Sequence, residues 1–359
     1  MNLVVFGLAV SSSWGNGHAA LWRGLIGALA RAGHRVSFFE RDAPWYAEHR
    51  DLDALPDGAR LVLYSDWPSV LGEARRAVAG ADAAIVTSYC PDGRAAAALV
   101  LDSRAPARCF YDLDTPVTLA RLEAGEDVEY LPPQGLGDFD IVLSYTGGEA
   151  LGALRRRLGA RRAAPLHGSV DPAAHRPAAP APRYRADLSY LGTFAADRQA
   201  TLERLFVAPA RRRPHQRFLI GGAQYPADFP WTANTFFVRH LPPAEHPAFY
   251  ASSRLTLNVT RAAMARMGHC PSGRLFEAAA CGVPILSDDW PGLDRFFEPG
   301  REILLARTTE GALAALDLPD ASLAAVARNA RARVLAEHTA ERRAAELIAA
   351  LEGAASERV

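Results

Sequence analysis

The segment Pro271-Ser-Gly-Arg-Leu-Phe-Glu-Ala-Ala-Ala-Cys-Gly-Val-Pro-Ile-Leu-Ser-Asp288 sets a cation and a carboxylate three residues apart behind a Pro-Ser-Gly start. Pro271 and Ser272 suit the beginning of a helix. The first-turn N–H groups of a helix have no intrahelical partner, and together with the helix dipole they favour an anion such as a diphosphate. Gly273 lets backbone come close to a ligand. Arg274 adds a permanent cation with a forked set of donors. Glu277 follows one turn later on the same face, where its carboxylate can accept two hydrogen bonds from a vicinal diol such as a ribose. Gly282 suits the end of the helix, and Val283–Leu286 reads as the next strand. A plain helix start with a capping serine and a solvated glutamate fits the same spacing.

A second cluster lies near the start. Gly15-Asn-Gly-His18 sits between an apolar run, Leu3–Gly7, and the helical pattern of Ala19–Ala32. Gly17 permits a tight turn and close approach of a ligand. His18 there is either a packed imidazole or a general base facing a ligand from a strand end. A dinucleotide fingerprint fails, because its third glycine position is Ala20. Asp112 and Asp114 follow another strand pattern, Ala107–Tyr111, and either carboxylate could orient His18. Asn258, Thr260 and Arg261 follow the apolar run Leu255–Leu257, at the strand end where ligands bind in parallel sheets. Trp45, Tyr46, His49 and Arg50 form either a sugar-stacking platform or a packed surface loop. The arginines 155–157, 161 and 162 read as a solvated basic face or, less naturally, a membrane contact.

The elements that must carry these residues alternate strand and helix. Leu3–Gly7, a Gly-rich loop, Ala19–Ala32, Gly33 and Arg35–Glu40 compose a βαβ unit. Strand patterns recur at Ala83–Thr87, Ala107–Asp112 and Asp140–Ser144. Prolines 172, 177, 180 and 182 then crowd a linker-like stretch. The alternation restarts with a strand at Asp187–Leu191, a helix over Arg198–Leu205 and a strand at Arg217–Ile220. Further strands are read at Thr235–Val238, Leu255–Leu257, Pro284–Ser287 and Ile303–Leu305. Two Ala/Leu/Arg-rich helices end the chain. The expected fold class is α/β, with two doubly wound Rossmann-like domains facing across a cleft. The expected divisions are an N-terminal domain at 1–170, a Pro-rich linker at 171–184, a C-terminal domain at 185–335, and a helix at 336–359 returning towards the N-terminal domain.

Composition narrows the function. A chain of 359 residues exceeds the roughly 250–300 that one core serves. Forty basic and forty acidic residues balance, so a nucleic-acid partner is not expected. Every one of the basic forty is arginine, because the sequence has no lysine; Schiff-base and P-loop mechanisms are excluded. Cys90, Cys109, Cys270 and Cys281 make no CxxC pair or zinc-spaced cluster, which suits free thiols in the cytoplasm. The N-terminus lacks signal-peptide character, and no apolar run reaches the roughly 18–20 residues of a membrane span.

The Arg274 segment resembles the nucleotide-sugar site of GT-B glycosyltransferases, in the form R-x-F-E-A-x-A-C-G-x-P-[IV]-L. The whole chain is similar to the CgeB-like family, which is named for spore maturation and grouped with glycosyltransferase-1-like proteins. That likeness rests on Ser12–His18, Glu40–Tyr46, Val170–Pro177, Tyr190–Thr193, Leu257–Arg261 and the Arg274 segment, in that order. The resemblance implies a GT-B fold and transfer of a sugar from a nucleotide-diphosphate donor, a UDP or dTDP sugar, to an acceptor. It implies Glu277 on the donor ribose, with Ser272, Gly273, Arg274 and Arg198 on the diphosphate. Thr193 belongs to the loop after the first donor-domain strand, and His240, within Arg239–Leu241, lies beside the base. Gly17, Asn258 and Arg261 complete the expected donor contacts. Some inverting GT-B enzymes pair a histidine after the first strand with a later aspartate, which implies His18 as base with Asp114 or Asp112. Asp112-Leu-Asp114 also has the D-x-D form that binds a metal in GT-A enzymes, but a diphosphate site built on a helix start and arginine makes the metal redundant. No cofactor or metal is therefore expected. Retaining relatives carry E-x7-E, and here the first position is His269, which separates the chain from that pattern. A nucleotide-sugar epimerase and a non-catalytic sugar- or nucleotide-binding protein are the alternatives.

Overall fold

In the computed structural model, which describes residues 1–357, the chain divides into two compact units. One comprises Met1–His167 with the chain from Ala340 onward; the other is Gly168–Thr339.

The first unit is built on a parallel seven-stranded sheet. Its strands are β1 (Asn2–Gly7), β2 (Arg35–Arg41), β3 (Arg60–Tyr64), β4 (Ala83–Thr87), β5 (Ala107–Asp112), β6 (Ile141–Ser144) and β7 (Ala163–Pro165), in the order β3-β2-β1-β4-β5-β6-β7. The central strands are apolar on both faces because helices cover both sides. Strand alternation splits them between two cores: Val4 and Phe6 enter one, Leu3 and Val5 the other. The last helix, Ala340–Ser356, completes the second of these cores. Ala340, Ala344, Leu347, Leu351 and Ala354 recur at helical spacing and join Trp22, Leu25 and Leu29 of the helix Gly17–Arg31.

The second unit carries a six-stranded parallel sheet. Its strands are β8 (Ala186–Leu191), β9 (Phe218–Gly222), β10 (Thr235–Arg239), β11 (Ser253–Asn258), β12 (Ile285–Ser287) and β13 (Leu304–Leu305), in the order β10-β9-β8-β11-β12-β13. The proline-rich stretch is fastened to this unit. Ala181 donates its N–H to Ser252 Oγ at 2.7 Å, and Tyr184 is buried in the core with Phe249 and Leu275.

The helix expected over Arg198–Leu205 is broken into pieces. A 3-10 turn at Ala196–Arg198 leads into Gln199–Leu202, a π turn at Glu203–Val207 and the helix Ala208–Arg212. Pro209 has no N–H to close the α-helical ladder, and the wider π turn falls just ahead of it.

In both sheets the strand order reverses beside the first strand of the unit, between β1 and β4 and between β8 and β11. Loops leaving the carboxyl ends at such a reversal are where open α/β sheets bind ligands. His18 follows β1, Tyr89 follows β4 and Asp114 follows β5; Arg198 follows β8 and Arg261 follows β11. Among the described residues no helix is long and apolar enough to cross a membrane.

Candidate active site

In the second unit, the helix Gly273–Cys281 starts from Ser272, whose backbone is extended (φ −67°, ψ 140°) and whose side chain makes no capping hydrogen bond. Leu275 N–H donates to Ser272 O at 3.0 Å, and the N–H groups of Gly273 and Arg274 are the ones a helix start turns towards water or a ligand. Arg274 is fixed by the protein on two sides: Nε donates to Leu191 O, and Nη1 donates to Asn258 Oδ1 at 2.8 Å. Its guanidinium lies 5.2 Å from the centre of the buried Tyr190 ring. Gly192 is required beside it, since a Cβ there would sit 2.8 Å from both Arg274 Nη2 and Tyr190 Oη.

Arg198 donates to Thr193 O at 3.2 Å, while its Nε is buried without a partner. Burial lowers its pKa, the cations Arg274 and Arg261 add to that, and Tyr190 and Asp197 oppose it. Among the described residues neither Arg198 nor Arg274 is paired with a carboxylate. Arg261 differs: it meets Asp197 at 3.3 Å, and Asp197 also accepts from Ala262 N, tying the loop after β8 to the loop after β11. Two guanidinium groups without carboxylate partners and an uncapped helix start are the kinds of group that hold an anion.

Asn258 is fully buried. Its Oδ1 holds Arg274, and its Nδ2 donates to Ser287 Oγ at 3.0 Å. Asp288 closes the network by accepting from Thr260 N and Thr260 Oγ1, both at 3.0 Å. Burial raises the Asp288 pKa against these hydrogen bonds. His240 adopts the left-handed region (φ 48°) after β10, and its N–H donates to Gly222 O at 2.7 Å. His269 is left-handed too (φ 49°) and packs on Gly292, where a Cβ would lie 2.3 Å from the imidazole Nδ1.

Glu277 sits among histidines. Its carboxylate, an imidazole nitrogen of His175 and one of His246 lie within 4.8 Å of one another. Burial drives the His246 pKa down to about 4, with Glu277 opposing and His175 and His240 reinforcing.

In the first unit, Asn16 caps the helix Gly17–Arg31 by accepting from His18 N at 3.0 Å. That cap fixes His18 at the helix start. His18 Nε2 meets Asp114 Oδ2 at 3.2 Å, and His18 Nδ1 is buried without a partner. An ionised carboxylate only accepts, so Nε2 carries the hydrogen in the neutral ring and Nδ1 keeps the lone pair. Tyr89 packs edge-on against His18 at 5.6 Å and holds a left-handed backbone, φ 61°. The two aspartates diverge. Asp112 turns inward, its Oδ1 accepting from Asp114 N and Thr118 Oγ1, both at 3.1 Å. Burial raises the Asp112 pKa to about 6; the neighbouring Asp114 charge adds, while the hydrogen bonds oppose. Gly17 opens the helix with nothing within 4 Å of its Cβ position.

The aromatic loop forms a stack: Trp14 and His49 lie face to face at 4.3 Å, and Trp45 tilts onto His49 at 4.9 Å with nearly half its surface exposed. Arg155 and Arg161 donate to backbone carbonyls of their own unit, and Arg162 does the same while pairing with Glu357.

Residues 198–349 match the sequence family described as Glycosyl transferase-like. No curated protein matches the chain. Solved structures match nearly all of it. Sucrose-phosphate synthase from Thermosynechococcus elongatus superposes with a TM-score of 0.68 at 16% identity, over 97% of both chains. Anabaena HepE, solved in complex with UDP-glucose, gives 0.65 at 13% identity over 98% of this chain and 100% of that one. An alpha-glucosyltransferase in complex with UDP and a 13-mer DNA gives 0.70 at 10% identity over 98% and 99%. The fold is GT-B. Arg198, Asn258, Arg261, Ser272, Gly273, Arg274 and Glu277 all fall within the segment that is similar to that family. Thr193, Gly17, His18, Asp112 and Asp114 lie outside it.

Several site residues of this GT-B chain were not legible from spacing. Tyr190 and Asp288 bracket Arg274 and Thr260 from separate strands, and Tyr89 stands against His18. His175 and His246 meet Glu277 although they are 71 residues apart in sequence. Left-handed φ at a bulky residue leaves no local signature, and a contact formed through three separate elements leaves no spacing.

Proposed function

We propose that the protein moves a sugar from a nucleotide-diphosphate donor, a UDP or dTDP sugar, to an acceptor nucleophile, as a CgeB-like member of the GT-B glycosyltransferases. The observation that carries the reading is the pair Arg198 and Arg274, without carboxylate partners, beside the uncapped helix start at Ser272. The negative charge of the diphosphate is balanced by these two cations and by the first-turn N–H groups of Gly273 and Arg274. As the bond from sugar to diphosphate breaks, negative charge grows on the leaving oxygen, and preorganised donors lower that barrier most. The same cations make a metal unnecessary for the leaving group. Asn258, held between Ser287 and Arg274, is a positioning residue. Thr193 and Arg261, through Asp197, set the loop that presents Arg198. Glu277 accepts the ribose hydroxyls, and His240 borders the base. Neighbours solved with UDP or UDP-glucose favour uridine.

The first unit holds the acceptor, with Trp14, His49 and Trp45 as the surface on which it stacks. His18 is the base, and Asp114 orients it through Nε2. The acceptor O–H proton passes to His18 while the acceptor oxygen bonds to the anomeric carbon and the nucleoside diphosphate leaves with the electron pair. Attack opposite the leaving group inverts the anomeric centre. Four buried cysteines outside any disulfide fit a reducing cytoplasm.

The test is to incubate the full chain with UDP-glucose and follow released UDP and the sugar by NMR. Slow UDP release with inverted glucose, accelerated by an acceptor, supports the reading. Recovery of an isomerised nucleotide sugar, or a donor left intact under all acceptors, rejects it.

A further inference from the structure

His175 Nε2 and His246 Nδ1 face each other at 3.5 Å. That is the longer of the two polar contacts of the His246 ring and lies at the outer edge of hydrogen-bond range. It is the spacing of two ligands on one ion: tetrahedral zinc with bonds of about 2.0–2.1 Å holds neighbouring nitrogens about 3.3 Å apart. The third member, Glu277, makes no hydrogen bond or ion pair among the described residues, and its carboxylate lies within 4.8 Å of both imidazoles.

The surroundings prepare the nitrogens for a metal. His246 Nε2 lies 3.3 Å from Leu241 O. A carbonyl can only accept, so Nε2 carries the hydrogen and Nδ1 turns its lone pair towards His175; a carbonyl behind the imidazole is the usual support of a ligating histidine. His175 is held by a turn in which its N–H donates to Asp171 O at 2.9 Å. His246 opens the helix His246–Ala251, which packs against the helix bearing Glu277 through Phe249, Tyr250 and Leu275 in one core. His175 is buried, whereas His246 and Glu277 are half-buried.

We infer that His175, His246 and Glu277 bind one zinc-class divalent ion, and that the ion excludes the nucleotide by occupying the carboxylate that receives the ribose. Two imidazoles and one carboxylate suit zinc or cobalt over magnesium. Three protein ligands leave one coordination position for water. The exclusion, though not the site itself, rests on the ribose reading of Glu277. The metal is thus an inhibitor of donor binding rather than part of the reaction.

The test uses the tag-free full chain, stripped with chelator and titrated with ZnCl2 by calorimetry and with CoCl2 by visible absorption. The expected result is one zinc per chain, the visible bands of four-coordinate cobalt, and no response to MgCl2. His175→Gln and, separately, His246→Gln weaken zinc by roughly 10-fold or more, with circular dichroism confirming that each variant is folded. UDP affinity falls by a similar factor when zinc saturates the site, and chelator restores it. Zinc binding that is absent, or equal in the wild type and both folded variants, overturns the metal site. Zinc bound at one equivalent with UDP affinity unchanged overturns the exclusion. If UDP binds in a Glu277-dependent manner while zinc does not bind, the metal proposal fails and the donor reading stands; if zinc binds and no nucleotide does, the reverse holds.

Discussion

Replacing Arg198 by methionine separates the stability of the protein from its affinity for a diphosphate. The guanidinium is buried beside Arg274 and Arg261, gives one hydrogen bond to Thr193 O and leaves Nε unpartnered. Methionine keeps much of the stem's volume and removes the charge. Leaving a buried donor unsatisfied costs about 1–3 kcal/mol, and the single bond lost contributes about 0.5–1.5 kcal/mol, so the nucleotide-free variant gains about 1 kcal/mol. For a domain of this size that is an increase in Tm of about 2–4 °C. A hydrogen bond to a charged phosphate is worth about 1.5–3 kcal/mol, so UDP affinity falls about 10–150-fold. Scanning calorimetry without nucleotide gives the first quantity and isothermal titration with UDP the second. A variant that melts lower than the wild type and binds UDP equally well refutes the reasoning, because Arg198 would then be a structural cation.

The remaining predictions address the first unit and the backbone beside Arg274. His18→Ala slows transfer by about 10²–10⁴-fold, the usual worth of a general base, and leaves the Kd for UDP unchanged; Asp114→Asn also slows transfer, while an unaltered kcat in either variant removes the base assignment. Asp112 has a folded pKa of about 6 against 3.8 for the free group, so its neutral form stabilises the fold at low pH and that contribution is lost as pH rises from about 4 through 6. The whole loss is about 3 kcal/mol, of which about 2 kcal/mol falls between about pH 4.5 and 7.5; urea unfolding at those two pH values should show Asp112→Asn closing that gap relative to wild type, and parallel profiles contradict it. Gly192→Ala places a methyl 2.8 Å from Arg274 Nη2, and displacing that group weakens UDP about 10-fold or more, read by the same titration; unchanged affinity would mean Arg274 does not touch the ligand.

The alternation of apolar strands and amphipathic helices was legible because both sheets are parallel and covered on both faces, which gives unbroken apolar runs such as Val4–Phe6 and Ala83–Val86. The two doubly wound sheets follow from that pattern. The helix at Gly273–Cys281 was legible for a different reason: the Pro-Ser-Gly start, cation, carboxylate and closing Gly282 all lie within one local segment. What escaped was set by distance and by single hydrogen bonds. Nothing in Asp112-Leu-Asp114 says which carboxylate turns inward; Thr118 and the Asp114 N–H decide it by holding Asp112. The helix predicted from Arg198 was interrupted by Pro209, eleven residues on, because the ladder fails at the carbonyl that proline cannot reach. Asn258 read as a ligand contact at a strand end, and spacing gave no sign that its Oδ1 accepts from Arg274.

The donor site itself is tested most directly by titrating UDP and 2′,3′-dideoxyuridine diphosphate into the wild type and into Glu277→Ala, in chelator-treated buffer. The account predicts that the wild type prefers UDP by about 10-fold or more, the worth of hydrogen bonds from a diol to a carboxylate. It also predicts that Glu277→Ala binds the two nucleotides alike, because only the ribose hydroxyls distinguish them. Equal affinity of the wild type for both, or a preference that survives in Glu277→Ala, would contradict it.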